Sequence, residues 1–164
     1  MGLDETRSFT LTRPVAATRS DVFDAWTRPE LLAKWYFNPQ FLPPDEPITV
    51  DLRVGGNWRL IMAYDAESSA ATGGIYREIV PGKRLVFDMG AVDGWPRIDP
   101  QRPDSVPLVS VTFDDAPDNS TEMTLTLVLP STMSDEEAKR WSEFPMRDGW
   151  GDTIDRLVRL HARS

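Results

Sequence analysis

Between residues 48 and 129 apolar side chains recur at every second position, and glycine, proline or acidic turns break the pattern at short intervals. A period of two sends alternate side chains to opposite faces, so such a chain is committed to strands with one buried face. Ile48, Val50, Leu52 and Val54 alternate with Thr49, Asp51 and Arg53, and Gly55-Gly56 reads as a hairpin turn. Trp58, Leu60, Met62 and Tyr64 form the next row, and a polar loop is expected over 65–72. Gly73 to Ile79 reads as the third strand, and Pro81-Gly82 turns the chain into Leu85, Phe87 and Met89. The 90–106 stretch is read as a long loop carrying Val92, Trp95 and Ile98. Val109, Val111 and Phe113 alternate cleanly, the turn is expected over 114–120, and Met123, Leu125, Leu127 and Leu129 complete the series. Six strands joined by short connections make an antiparallel meander. Residues 6–13 supply a seventh strand, with Phe9 and Leu11 on one face and Pro14 expected to end it.

The period changes at both ends of the sheet. Over 18–35 two short helices are predicted. Thr18 caps the first, whose stripe is Val22, Phe23 and Trp26; Thr27 is expected to cap the second, which carries Pro29, Leu31, Leu32 and Trp35. Residues 36–47 form a proline-rich loop whose Tyr36, Phe37, Phe41 and Leu42 should pack down. Ser134 to Glu137 is a capping box, and the chain from there to residue 161 reads as one long helix with a break at Pro145. Trp150, Ile154, Leu157 and His161 fall at offsets 0, 4, 7 and 11, one helical face. A sheet with one apolar face must be covered, and this helix alone is large enough to do it. The expectation is an α+β fold of one domain over 1–164, a seven-stranded antiparallel sheet wrapped round a long C-terminal helix. One helix cannot fill the whole concavity, so a space lined with aromatics is expected between them.

Composition narrows the chemistry. There is no cysteine, which removes disulfides, thiolate metal sites and cysteine nucleophiles together. His161 is the single histidine, and no carboxylates have calcium-loop spacing, so neither a metal nor another cofactor is expected. Asp148 and Asp152 share a helical face, where flanking arginines suit a solvated role better than acid–base work. The net charge of −8 and the lack of a Lys/Arg cluster disfavour nucleic acid. No apolar run approaches a membrane span, and Met1-Gly2-Leu3-Asp4-Glu5 lacks the layout of a secretion signal, so a cytoplasmic location is expected.

Six tryptophans stand out in 164 residues. By strand and helix parity the expected lining of the space is Trp58, Leu60, Met62, Phe87, Val111, Phe113, Trp150 and Ile154. Trp95, flanked by Gly90, Gly94 and Pro96, is expected to join them as part of a lid. Tyr64, Tyr76 and Arg77 are the candidate polar groups. Gly55-Gly56 and Gly73-Gly74 lack phosphate-loop context and suit hairpins or bulges. A non-catalytic binder of a small apolar or aromatic molecule fits this set best. A cyclase- or hydrolase-like enzyme would have to use Tyr64, Tyr76 or Arg77, and a protein-interaction module would need an exposed apolar patch.

Several stretches together carry a family resemblance. They are Val22-Phe23-Asp24-Ala25-Trp26-Thr27-Arg28-Pro29-Glu30-Leu31 followed by Trp35; Asp51-Leu52-Arg53-Val54-Gly55-Gly56-Asn57-Trp58-Arg59; Gly74 to Phe87, read GIYREIVPGKRLVF; and Gly149-Trp150 with Leu157. The chain resembles the START-like, or SRPBCC, superfamily. Within it the chain is similar to bacterial homologues of the activator of the 90-kDa heat-shock chaperone's ATPase. The resemblance runs from about residue 8 to 161. It implies a helix-grip fold with a cavity between sheet and final helix. It implies no catalytic residue, because the matching positions are fold determinants. The wider superfamily includes binders of lipids, steroids, hormones and polyketides, and some cyclases. Chaperone activation in the eukaryotic namesake also uses an additional N-terminal domain for which 164 residues leave no room, so a chaperone partner is the weaker expectation. Homodimer formation is left open.

Overall fold

The computed structural model describes residues 7–36, 48–63, 69–91, 94, 97–99, 101–102, 106–143 and 146–161. Strand β1 (Ser8–Val15) leads to helices α1 (Arg19–Thr27) and α2 (Pro29–Trp35). Six strands follow: β2 (Thr49–Val50), β3 (Asn57–Ala63), β4 (Ser69–Val80), β5 (Arg84–Met89), β6 (Leu108–Ala116) and β7 (Ser120–Val128). Helices α3 (Asp135–Ser142) and α4 (Met146–Leu160) end the chain. All pairings are antiparallel, in the order β1-β7-β6-β5-β4-β3-β2. The meander and the added N-terminal strand are as the alternation predicts.

Register decides which side chains meet. Phe87 lies opposite both Tyr76 and Val109, Val111 opposite Leu85 and Leu125, and Phe113 opposite Met123. These side chains are buried in one continuous core with Trp150, Ile154 and Leu157 of α4. The 15 residues of α4 span about 22 Å, enough to cross the sheet's inner face. Arg13 of β1 ties the helix to the sheet edge through Asp155 at 2.7 Å. The caps at Thr18 and Ser134 form as expected: each hydroxyl accepts from the backbone N–H three residues on, at Asp21 and Glu137.

Several boundaries differ, each for a local reason. β2 stops after Val50 because the chain folds back on itself. Asp51 N–H reaches the Asn57 carbonyl, Arg53 N–H the Asp51 carbonyl, and Gly56 N–H the Arg53 carbonyl. Leu52 and Val54 are therefore exposed, at 44% and 64%, instead of continuing a strand. Pro14 does not end β1, which runs to Val15. β1 is an edge strand paired only with β7, where a missing N–H can face outward. Ser69 to Thr72 belong to β4, not to a loop, and β6 runs on to Ala116. Thr27 does not cap α2; its hydroxyl donates back to the Phe23 carbonyl, and Arg28 holds the cap position without a side-chain bond. The C-terminal region is two helices. α3 closes at Glu143, whose N–H bonds the Lys139 and Arg140 carbonyls, three residues after the start of its last turn. Residues 37–47 and Pro145 lie outside the described residues.

Gly73-Gly74 lies within β4, not at a turn. Gly74 pairs with Trp58 on one side and Met89 on the other. A Cβ there would stand 2.5 Å from the Phe87 ring and 2.8 Å from Trp58 Nε1. The bare backbone is what lets both rings lie on the sheet. Gly74→Ala is therefore expected to destabilise by about 1–3 kcal/mol through overpacking. Thermal unfolding should show a melting temperature lower by several degrees, with an altered near-UV tryptophan spectrum. An unchanged melting temperature would mean the rings have slack to move.

Candidate functional site

The inner face of the sheet, the face of α4 and the two short helices enclose an aromatic interior. Trp58 and Leu60 of β3, Tyr76 of β4, Phe87 of β5, and Val111 and Phe113 of β6 are buried, as are Trp150 and Ile154 of α4. Met62 packs against the same core but is only half-buried. The parity argument thus brings together the side chains it selected from β3, β5, β6 and α4.

Two walls were not anticipated. Trp26 of α1 stacks on Trp150, with ring centroids 6.2 Å apart and planes at 24°. Trp26 also meets Trp35 edge-on at 4.8 Å and Phe87 at 6.5 Å. Its indole N–H reaches Met123 Sδ at 3.3 Å, and that of Trp35 donates to the Ala25 carbonyl at 2.9 Å. Both polar edges are satisfied locally, so these rings act as apolar walls. Their i, i+4 relation to Val22 and Leu31 was visible as a stripe, but nothing local says that the stripe points at α4.

Tyr36 is the second addition. It follows α2 directly and its N–H makes the closing bond to the Leu32 carbonyl. Its ring stands edge-on to Trp58 at 5.1 Å and to Trp150 at 6.1 Å. Arg156 of α4 holds it there from behind, donating Nε to the Trp35 carbonyl at 2.9 Å and Nη2 to the Tyr36 carbonyl at 3.0 Å. These are the orphan carbonyls of a helix end, and a cation suits them. Burial lowers the Arg156 pKa from its ordinary value, while nearby Asp152 works the other way. Tyr36 is half-buried where the rings it touches are buried, so it forms the outer margin of the aromatic cluster.

Among the candidate polar groups the structure separates Tyr76 from Arg77. Tyr76 is 0% exposed, and its hydroxyl has no hydrogen-bond partner. A buried, unpaired hydroxyl costs roughly 1–3 kcal/mol, so it calls for an explanation. Burial raises the phenol pKa, with Asp51 adding to the rise, and the group stays protonated at neutral pH. Burial likewise raises Tyr36, against a weaker pull from Arg156.

Arg77 goes to the other side of the sheet. The ladder slips between Tyr76 and Glu78, and Arg77 sits in that irregularity. Its Nε donates to Asp88 Oδ2 at 2.6 Å. Asp88 alternates with the inward-facing Phe87 and Met89, so the pair lies on the outer face. Burial raises the Asp88 pKa against the pull of Arg77.

Tyr64 and Trp95 lie outside the described residues. Their neighbour Gly94 is described, and a Cβ there would stand 2.9 Å from the Ala71 Cβ. Ala71 alternates with Ala70 and Thr72, which pair with Met62 and Leu60 of the inner row. Gly94 therefore packs on the outer face of β4.

The arrangement can hold an apolar molecule and offer it a phenol. Among the described residues no group of three or more histidine, aspartate or glutamate side chains could hold a metal ion, and no helix is long and apolar enough to cross a membrane.

The family model described as Activator of Hsp90 ATPase homolog 1-like protein matches residues 16–162. The chain belongs to this family, within the START-like (SRPBCC) superfamily. Solved structures agree on the fold. A protein from Nitrosomonas europaea is 26% identical, with 96% of each chain covered and a TM-score of 0.75. One from Chromobacterium violaceum is 22% identical, over 96% of this chain and 99% of that one, with a TM-score of 0.66. The solution structure of an AHSA1-like protein from Aeromonas hydrophila is 20% identical, over 92% and 90%, with a TM-score of 0.63. No curated protein matches the chain. For this member of the Activator of Hsp90 ATPase homolog 1-like family, the helix-grip fold expected from the sequence is the fold observed.

His161 closes α4, with its backbone N–H on the Leu157 and Val158 carbonyls. Its Nε2 is buried without a partner. Burial lowers its pKa below 6.5, against the opposing charge of Asp21. A depressed folded pKa means the unfolded chain binds the proton more readily. The neutral imidazole therefore contributes stability that is complete above pH 6.5 and is lost as pH falls through the folded value. With a single histidine in the chain, the imidazole signal in NMR is unambiguous. Its titration midpoint is expected below 6.5; a midpoint at or above that value would contradict the burial argument.

Proposed function

We propose that the protein is a non-catalytic binder of a small, mostly apolar or aromatic molecule, held between the inner face of the sheet and α4. The observation that carries the reading is the Tyr76 hydroxyl, buried among aromatic rings without a partner. A group so placed becomes favourable when a guest supplies the missing hydrogen bond. The rings of Trp58, Phe87 and Trp150 offer the apolar area, worth about 25 cal/mol per Å² removed from water. Met62 and Tyr36, both half-buried, mark where the interior comes nearest to solvent.

The same observation weighs against a cyclase- or hydrolase-like role for Tyr76. A phenol kept neutral by burial suits a hydrogen-bond donor better than a phenolate base. Arg77, the other group proposed for such chemistry, is engaged with Asp88 on the far face. The family's name describes chaperone activation in its namesake, and no feature of the aromatic interior calls for a protein partner.

Native mass spectrometry of the protein purified from its own host tests the reading. The expected result is a second species heavier by one small-molecule mass, lost on denaturation. The same spectrum reads the oligomeric state. The absence of any such mass, together with no saturable change in tryptophan fluorescence across fatty acids, flavonoids and polyketide-like aromatics, would sink it.

A further inference from the structure

The electrostatics of the interior bear on the charge of what it can take. Burying a carboxylate without a counter-charge is far more costly than burying a hydroxyl or carbonyl. The two arginines at the border of the interior are already committed. Arg13 holds Asp155 at 2.7 Å and the Thr12 carbonyl at 3.0 Å. Arg156 holds the carbonyls of Trp35 and Tyr36. Arg77 is on the opposite face of the sheet with Asp88. An anion entering beside Trp58 and Trp150 would have to break one of these arrangements to find a cation. The net charge of −8 adds a field that repels anions before they arrive.

The polar group actually offered is a phenol. The Tyr76 hydroxyl can donate one hydrogen bond and accept another, and in the empty protein it does neither. Its best complement is a neutral oxygen or nitrogen on a ligand whose remaining surface is apolar. Neighbouring rings meet edge-on, Trp58 with Phe87 at 5.4 Å and 89°, and Tyr36 with Trp58 at 81°. Such walls favour a flat aromatic guest, whose faces and edges can complete the same pattern.

Resting on the binder reading above, we propose that the site selects uncharged aromatic ligands bearing one hydrogen-bonding oxygen or nitrogen, anchored on the Tyr76 hydroxyl, and rejects carboxylates of the same size. Aromatic alcohols and ketones belong to the accepted class; aromatic acids and fatty acids in their ionised form do not. This divides the ligand chemistry that an apolar interior alone would leave undivided.

Three probes of nearly equal size test it by quenching of tryptophan fluorescence at pH 7.5, where 2-naphthol is neutral and 2-naphthoate is an anion; 2-methylnaphthalene is the apolar control. The wild-type protein is expected to bind 2-naphthol and 2-methylnaphthalene saturably, and 2-naphthoate about tenfold or more weakly than 2-naphthol. Tyr76→Phe is expected to weaken 2-naphthol by about tenfold and to leave 2-methylnaphthalene within about twofold. If none of the three binds the wild-type protein, the binder reading itself fails. If 2-naphthoate binds as tightly as 2-naphthol, the site exists but does not select against charge, and this inference is overturned. If Tyr76→Phe binds 2-naphthol like the wild type, the anchor is wrong. The wild-type comparison of naphthol with naphthoate stands whether or not the variant folds.

Discussion

The close approach of Trp58 and Phe87 over the bare backbone of Gly74 is the contact on which the interior depends. It sets two large rings edge-on at 5.4 Å on the concave face of the sheet. Everything that covers the sheet is shaped to those rings. Trp26 meets Phe87 from α1, Tyr36 meets Trp58 from the end of α2, and Trp150 of α4 lies against both Trp26 and Tyr36. Three helices are thereby positioned by one aromatic cluster, because rings of this size cannot shift independently in a close-packed core.

Polar groups around the cluster fall into two kinds. Most are tied off locally: the indoles of Trp26 and Trp35, the guanidinium of Arg156 and the Arg13–Asp155 pair all have partners within hydrogen-bond reach. Tyr76 stands apart, with a hydroxyl that is buried and unpaired. A core built for stability alone would be served as well by phenylalanine there, since a buried hydroxyl without a partner only costs free energy. Keeping tyrosine makes sense if the hydroxyl is paired some of the time, by something that is not protein.

Much of the fold was legible because it is written in side-chain period. Alternation located β3, β5, β6 and β7, and the spacing of Trp150, Ile154 and Leu157 identified the buried face of α4. Trp58, Leu60, Phe87, Val111 and Phe113 were assigned to the inner face by the same parity. What escaped depends on contacts distant in sequence. Arg156 caps a helix about 120 residues away, which no local pattern encodes. Tyr36 sits where a proline-rich stretch begins, and its place in the cluster follows only from how α2 meets α4. The slip in the ladder after Tyr76 turned Arg77 outward, where strict alternation left the two residues as equal candidates. Leu52 and Val54 show the converse error: their alternation continues beyond the strand, but hydrogen bonds within 51–57 bend the chain away.

The central claim is that the aromatic interior is a binding site and not merely a packed core. The most direct test follows the six indole N–H signals by two-dimensional NMR of the protein labelled with nitrogen-15 tryptophan, during titration with 2-naphthol. The indoles of Trp58 and Trp150, whose rings flank Tyr36, should shift saturably and together. Those of Trp26 and Trp35, bonded to Met123 and Ala25, should shift less. Signals of Trp58 and Trp150 that stay fixed while others move, or six signals that do not respond at all, would contradict the account and leave the interior as a core.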